Sequence, residues 1–409
     1  MKFLFDDESF SYEALRAAGF ASYGGAELGE VISTAGRIAD GNEADWVREW
    51  EATACRVHTI GDEAAAAGHR VSAREALLRA SNYYRTAEFY LRDDPAHDPK
   101  ARALSQLSRD TFARATELMD RPVRAVEIPY EDTTLPGYLF LVDESGAARP
   151  TIIFNSGFDS TLEESYFALA AAALTRGYNV LAFDGPGQGA VIREQGLPFR
   201  HDWEAVVTPV VDFALTLNEI DPTRISLYGY SLGGLLAARA AAFEHRVAAL
   251  ILNDGLYDYH FAHQRGLPPF VSEWIAAGRD VEADQVGRLL MAHNTTARWA
   301  MRNGLWTFGA SSYADYVRRT EKYTLADVVT GIHCHTLVLD AENDLFFQGE
   351  ASRVHEALTC PKELIVGTEA EGAGEHCGMG AMLLTNQRIF DWLDRSPAGV
   401  GAQQAAAVA

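Results

Sequence analysis

Cysteine is scarce in this chain. Only Cys55, Cys334, Cys360 and Cys377 occur among 409 residues, and none stands in C-x-x-C spacing, so neither a zinc ribbon nor a disulfide framework is indicated. Positive charge is short as well: 35 Lys and Arg against 57 Asp and Glu leave a net charge of −22. Such a chain has little means of holding a nucleic acid backbone, and its acidity reads as solubility. Apolar runs are also short, none approaching the roughly 18 residues of a membrane span. The opening MKFLFDDESF follows three apolar residues with acids, which is no signal-peptide core. A reduced, cytoplasmic protein without a membrane partner is expected. No fixed-period self-similarity supports a repeat array. What is plentiful is core material, at 48% hydrophobic residues, enough for one large core with appendages or for two or three domains.

Residues 1–121 read as helical throughout. EADWVREWEATACRVHTIGDEAAAAG and SAREALLRASNYYRTAEFYLR are rich in Ala, Leu, Glu and Arg, with aromatics every three or four positions. From Pro122 the texture changes. VRAVEIPYED and LPGYLFLVDE are strand-like, and PTIIFNSG, YNVLAFDGPG, RISLYGYS and VAALILNDG then alternate with helical stretches. Two antiparallel-type strands followed by βα alternation predict an α/β class with a mostly parallel, doubly wound sheet over 122–395. A helical excursion at about 258–325 interrupts it, in the place of a lid. HTLVLDAEND and ELIVGTE then resume the sheet. The low-complexity end, 396–409, predicts a flexible tail.

Ser231 lies in Gly229-Tyr230-Ser231-Leu232-Gly233, between a strand and a helix. Glycines on either side of a serine permit a sharp turn that presents its hydroxyl at the carboxyl edge of a sheet. Alone, the pattern equally suits a small-residue helix start with Ser231 as its cap. A nucleophile needs a base, and the base an orienting acid. TLVLDAENDLFF offers Asp344 in a loop, with Asp340 at the strand end as the reserve, and ELIVGTEAEGAGEHCGMG puts His376 in a glycine-rich loop beyond the next strand. The order serine, acid, histidine makes Ser231, Asp344 and His376 the candidate triad. Backbone N–H groups of Leu232 and Phe158 are the candidate oxyanion hole, with Gly157 allowing close approach. Gly157, Tyr84 and Tyr230 are candidate substrate contacts. Ser160 and Glu163 suggest a capping box, so that Glu163 and Glu164 read as structural.

Two other patterns carry less. DGPGQGAV has glycines at 185, 187 and 189 but neither the G-x-G-x-x-G register nor a Walker lysine, so nucleotide binding is not expected. In IHCHTL, alternation places His333 and His335 on one strand face and Cys334 on the other, without further ligands at useful spacing. No metal or organic cofactor is expected.

With NSGFDSTLEE, FDGPGQG, GYSLGG, NDG, LDAENDLFF, GEHCGMG and the upstream SNYYRTAEFYL, the chain resembles a branch of the α/β-hydrolase superfamily. That branch contains fungal pigment-pathway hydrolases that shorten polyketide chains, dihydroxypseudooxynicotine hydrolase and FrsA-like proteins. The likeness covers nearly the whole chain. It implies an α/β-hydrolase fold, the triad Ser231, Asp344 and His376, N-terminal helices that help roof the site, and cleavage of carbon–carbon bonds next to ketones. Asn155-Ser156-Gly157 departs from the consecutive glycines frequent in relatives, which puts the shape of the oxyanion loop in question. A small-molecule substrate is expected, and a homodimer is held open. Ester or lactone hydrolysis and acyl transfer use the same triad, and a non-catalytic FrsA-like binding protein is the rival from another class.

Overall fold

The computed structural model describes residues 1–265 and 267–400. Its centre is an eight-stranded sheet in the order β1-β2-β4-β3-β5-β6-β7-β8. The strands are β1 (Val123–Tyr130), β2 (Thr133–Phe140), β3 (Arg149–Asn155), β4 (Asn179–Phe183), β5 (Ile220–Tyr230), β6 (Ala249–Asn253), β7 (His335–Ala341) and β8 (Lys362–Gly367). β1 and β2 form a tight hairpin, Tyr130 opposite Thr133, and β2 joins β4 antiparallel. All later pairings are parallel. The expected α/β class with a mostly parallel sheet is what the chain adopts.

Strand alternation builds a core on each face. Ile153, Leu181, Leu227, Leu250 and Val338 pack on one side with α7 (Glu204–Ala214) and α8 (Gly233–Ala241), and with α14 (Glu350–Ala357) through Val354. Ile152, Phe154, Val180, Tyr228 and Leu337 pack on the other with α6 (Ala171–Thr175) and α15 (Met382–Leu393). Burial on both faces explains why these strands are nearly continuous apolar runs.

The N-terminal block comprises α1 (Glu8–Gly19), α2 (Leu28–Ala35), α3 (Glu43–Ala66), α4 (Arg70–Glu88) and α5 (Pro99–Thr116). Caps start these helices: Asp7 accepts from Phe10 N–H at 3.0 Å, and Asp98 from Lys100 N–H at 2.8 Å ahead of Pro99. Phe10, Trp46, Trp50 and Tyr83 form a third core, which Trp299 joins from the excursion. Leu15, Phe20, Leu77 and Phe112 instead join the core on one face of the sheet. The block is therefore fused to the sheet.

The excursion holds α9 (Tyr259–Gln264), α10 (Pro269–Ala276), α11 (Asp280–His293), α12 (Thr295–Thr307) and α13 (Tyr313–Thr320). It leaves and returns through one neck, where Tyr259 N–H donates to Tyr323 O at 3.0 Å and Leu325 N–H to Tyr257 O at 2.9 Å. The first part of the expected flexible tail is docked: Ser396 and Ala398 are buried, and Val400 N–H donates to Tyr178 Oη at 3.0 Å. Residues 401–409 lie outside the described residues. Among the described residues no helix is long and apolar enough to cross a membrane.

Candidate active site

The loops after β3, β5, β6, β7 and β8 meet at the carboxyl edge of the sheet, where open α/β sheets place their chemistry. Ser231 follows β5 with φ at 59°, a conformation that costs a non-glycine residue on the order of 1–3 kcal/mol. Ser231 N–H donates to Asn253 O at 2.5 Å, and Gly234 N–H to Ser231 O at 2.8 Å, which together fix the turn. A side chain at 229 would collide with the Gly233 carbonyl, and one at 233 would lie 2.6 Å from the carbonyls of Asn155 and Ser156. Both glycines are steric requirements of this turn.

Ser231 Oγ lies 2.8 Å from His376 Nε2. The other ring nitrogen, Nδ1, faces two carboxyl groups: Asp344 Oδ2 at 2.8 Å and Asp254 Oδ2 at 2.7 Å. Nδ1 therefore carries the proton of the neutral ring, leaving Nε2 to accept from the serine. Burial alone would lift the Asp344 carboxyl. His376 and the N–H groups of Phe346 and Phe347, at 2.7 and 2.9 Å from Oδ1, hold it far below the usual carboxylate range. Burial and then the facing Asp344 charge push Asp254 up to about 7 against the pull of His376. Burial opposes charge on His376 also, yet the acids around it raise it well above an ordinary histidine. The site favours the imidazolium that appears when the serine gives up its proton.

Asp254 was missed by the sequence reading, although Asn253-Asp254-Gly255 ends a strand between Ser231 and His376, as an orienting acid should. The reserve acid, Asp340, is placed elsewhere: its Oδ1 accepts from Ala341 N–H at 2.9 Å, and it lines a separate small cavity with Ile365 and Arg388.

The loop after β3 is braced from several sides. Gln188 Nε2 donates to the carbonyls of Ser156 and Gly157 at 2.6 and 3.2 Å, and Asn303 Nδ2 donates to Phe158 O at 3.3 Å. Among the described residues neither Phe158 N–H nor Leu232 N–H has a hydrogen-bond partner. A Cβ on Gly157 would lie 3.2 Å from Leu232 N, so the loop closes directly over the turn. Asn155, which opens the departure from consecutive glycines, accepts from Trp203 Nε1 at 2.7 Å and anchors the loop base. The glycine-rich 185–189 segment thus serves to deliver Gln188.

Asp159, next to Phe158, takes Arg16 Nη1 and Arg85 Nη2 at 2.7 Å each. Arg16 also grips Glu164 with Nε and Nη2 at 3.0 Å, and Arg85 Nη1 meets Glu13 Oε2 at 3.0 Å. Burial would raise the Asp159 carboxyl, but the two guanidinium groups hold it at about 2. Burial raises the Glu13 carboxyl despite the same arginines. The capping box also differs from expectation. It is Glu164, not Glu163, that reaches back, and it accepts from Thr161 N–H at 3.0 Å instead of serving Ser160.

Above Ser231 lies a cavity of about 400 Å³. Phe89, Phe158, Trp299, Met301 and Leu290 form its apolar wall, Phe346 and Phe347 flank His376, and Tyr12, Glu13 and Arg16 approach from α1. Phe89 and Trp299 stack at 4.4 Å, joining the two helical blocks at the wall. Tyr230 lines the cavity as well, and its hydroxyl is buried without a partner among the described residues. Tyr84 does not: it packs between helices, with Oη 3.1 Å from His58 Nδ1. Its place as a substrate contact is corrected, because the helical period turns Tyr84 toward α3 while Phe89, past the helix end, reaches the cavity. Trp274 lies beneath Arg279, and Trp306 between Arg92 and Arg193.

Asp254, His376 and Cys377 bring ligand atoms within 4.8 Å of one another. Burial pushes the Cys377 thiol up to about 12, so it is no thiolate, and both imidazole nitrogens are already engaged. This donor set does not suit a metal. His333 precedes β7 and stacks on His245, whereas His335 starts the strand and meets Trp392; the pair does not converge on a ligand.

A serine on a strained strand-to-helix turn, at the carboxyl edge of a mostly parallel sheet and bonded to a histidine from a late loop, defines an α/β hydrolase. The model of the α/β-hydrolase family matches residues 152–388, and that of the FrsA-like esterases matches residues 35–260. The chain belongs to the α/β-hydrolase family, in its FrsA-like branch, and is an enzyme of the hydrolase kind. It is 37% identical over 408 residues to the 20-hydroxy-prefusarin hydrolase FUS2 of Gibberella moniliformis, covering 96% of this chain and 97% of that one. Hydrolase LUC6 of a Fusarium species is 36% identical over 410 residues, with 96% and 97% covered. The crystal structure of 2,6-dihydroxy-pseudo-oxynicotine hydrolase shares the fold, with a TM-score of 0.72, 22% identity, and 92% and 94% covered.

Proposed function

We propose that this enzyme is a serine hydrolase that cleaves a carbon–carbon bond next to a ketone in a neutral, polyketide-like molecule such as a β-diketone. The observation that carries the reading is the unbroken chain Ser231 Oγ, His376 Nε2, His376 Nδ1 and carboxylate, with distances of 2.8 Å on both sides of the ring, beneath a mainly apolar cavity. Ser231 Oγ attacks the carbonyl carbon as His376 Nε2 takes its proton, and Asp344 holds the ring and stabilises the imidazolium. The N–H groups of Leu232 and Phe158 receive the oxyanion. Collapse expels the neighbouring carbon as an enolate, which His376 protonates to a ketone. Water activated by the same histidine then releases the acid from Ser231. A substrate without negative charge fits because Arg16, the one arginine or lysine among the described residues that line the cavity, is already paired with Glu13, Asp159 and Glu164, and the other charged side chains there, Glu8, Glu13 and Asp159, are acids. The 37% identity to a hydrolase of 20-hydroxy-prefusarin supports a substrate of that size and kind.

The test is product analysis with matched panels of 1,3-diketones and esters, run on wild type and Ser231→Ala. The expected result is ketone plus acid from diketones, with kcat lowered on the order of 10⁴ to 10⁶ in the variant. Turnover of esters alone assigns ester or lactone hydrolysis instead. A variant that keeps more than about a tenth of the activity removes Ser231 as nucleophile.

A further inference from the structure

His376 has more acid around Nδ1 than one ring N–H can use. Asp254 and Asp344 come from the ends of different strands, are each buried, and present Oδ2 to the same nitrogen at 2.7 and 2.8 Å. Two carboxylates so placed repel each other strongly, so while the ring between them is neutral one proton stays on the pair. Their other contacts say where. Asp344 Oδ1 accepts two backbone N–H bonds, from Phe346 and Phe347, as a carboxylate should. Asp254 Oδ1 has no partner among the described residues, which a neutral carboxyl tolerates far better than an anion. Asp254 Oδ2 also accepts from Cys377 N–H at 2.9 Å, and Cys377 sits at φ 59°. The same carboxyl thus pins the strained loop that carries His376.

Resting on the reading of Ser231 and His376 as nucleophile and base, we propose that Asp254 is a second positioning acid: it shares one proton with Asp344 across His376 Nδ1 and can replace Asp344 as the orienting carboxylate. In the wild type the pair keeps one proton and one negative charge while the serine proton passes to His376 Nε2. When residue 344 is an amide, Asp254 releases its proton to solvent and becomes the anion facing Nδ1. The titratable groups around Asp254 are Asp344 from the loop after β7, His376 and Cys377 from the loop after β8, and Tyr228 from β5. Tyr12 of α1 adds its hydroxyl beside His376. None is a cation other than His376 itself, so charge on the pair acts directly on the ring.

The readout is the second-order rate of Ser231 phosphonylation by a fluorophosphonate, measured from pH 5 to 10 in the full-length protein, with the labelled peptide identified by mass. This needs the serine, the base and its acids but no natural substrate. Asp344→Asn and Asp254→Asn are each expected within about a hundredfold of wild type, and the double variant slower on the order of 10⁴-fold. Asp254→Asn removes the titratable proton and leaves a neutral group of the same shape, whose amide oxygen in the place of Oδ2 can still accept from Cys377 N–H. Its pH profile is expected to lose the inflection that the shared proton imposes on wild type. An Asp344→Asn protein as slow as the double variant overturns the proposal. Should the double variant not fold, the Asp254→Asn profile decides, and one superimposable on wild type overturns it. Wild type left unlabelled at Ser231 refutes the hydrolase reading itself, and the acid pair falls with it.

Discussion

At the residue scale the molecule keeps several ionisable groups where their charged forms are disfavoured. Asp184 shows it most simply. It follows β4, its Oδ2 accepts from Ala190 N–H at 2.8 Å, and its Oδ1 has no partner among the described residues. Burial, and then the neighbouring Glu163, raise it from 3.8 to about 7. The folded chain thus binds this proton more tightly than the unfolded chain does. Its stabilising contribution is full below about pH 4 and is lost as the pH rises through about 7. Urea unfolding of wild type and Asp184→Asn between pH 4 and 8 should show the variant gaining on wild type with rising pH, by on the order of 2–4 kcal/mol. A difference constant with pH would show that Asp184 does not titrate in this range.

At the scale of elements, the loop after β3 is the part that the rest of the molecule shapes. Arg16 of α1 and Arg85 at the end of α4 reach Asp159 from 143 and 74 residues away in sequence. Removing one arginine leaves buried carboxylates short of a partner, at a cost of roughly 3–5 kcal/mol. Arg85→Met should lower the unfolding free energy by about that amount, measured by denaturant titration; an unchanged stability would make the cluster incidental. Gln188→Ala should cost on the order of 1–3 kcal/mol of stability, since the carbonyls of 156 and 157 and Gly185 N–H lose a buried partner, and should lower kcat on the order of tenfold to a hundredfold as the loop loses its brace. Unchanged kcat would show that the loop holds its shape without it. Such partners were not readable in the sequence, where Arg16 and Arg85 look like ordinary helix-surface charges. Ser231, His376 and Asp344 were readable because each lies in a loop just beyond a strand, two of them beside glycines that only a tight turn explains. Asp254 satisfied the same chain-order rule as Asp344 and Asp340. Which strand-end acid turns inward depends on side-chain direction and tertiary packing, which spacing does not carry.

At the scale of the whole molecule, the sheet supplies the reacting groups and two helical blocks close over them. The βα alternation made the sheet readable from sequence, since period-2 and helical patterns change at each boundary. The docking of residues 396–400 was not, because Gly- and Ala-rich composition looks the same whether or not a tyrosine hydroxyl holds it. Fusion of the N-terminal block to the sheet also changes what truncation can test. Deleting residues 1–121 would strip Asp159 and Glu164 of their arginines and open the core on one face, so loss of activity would report damage as much as loss of a roof. A direct test of the central claim is to trap the intermediate: acid quench during turnover of benzoylacetone, then mass analysis of the peptide from Ile225 to Arg239. The account predicts an acetyl or benzoyl group on Ser231 in wild type and none in Ser231→Ala. Diketone cleavage that proceeds with Ser231 unmodified, and with equal speed in the variant, would contradict it.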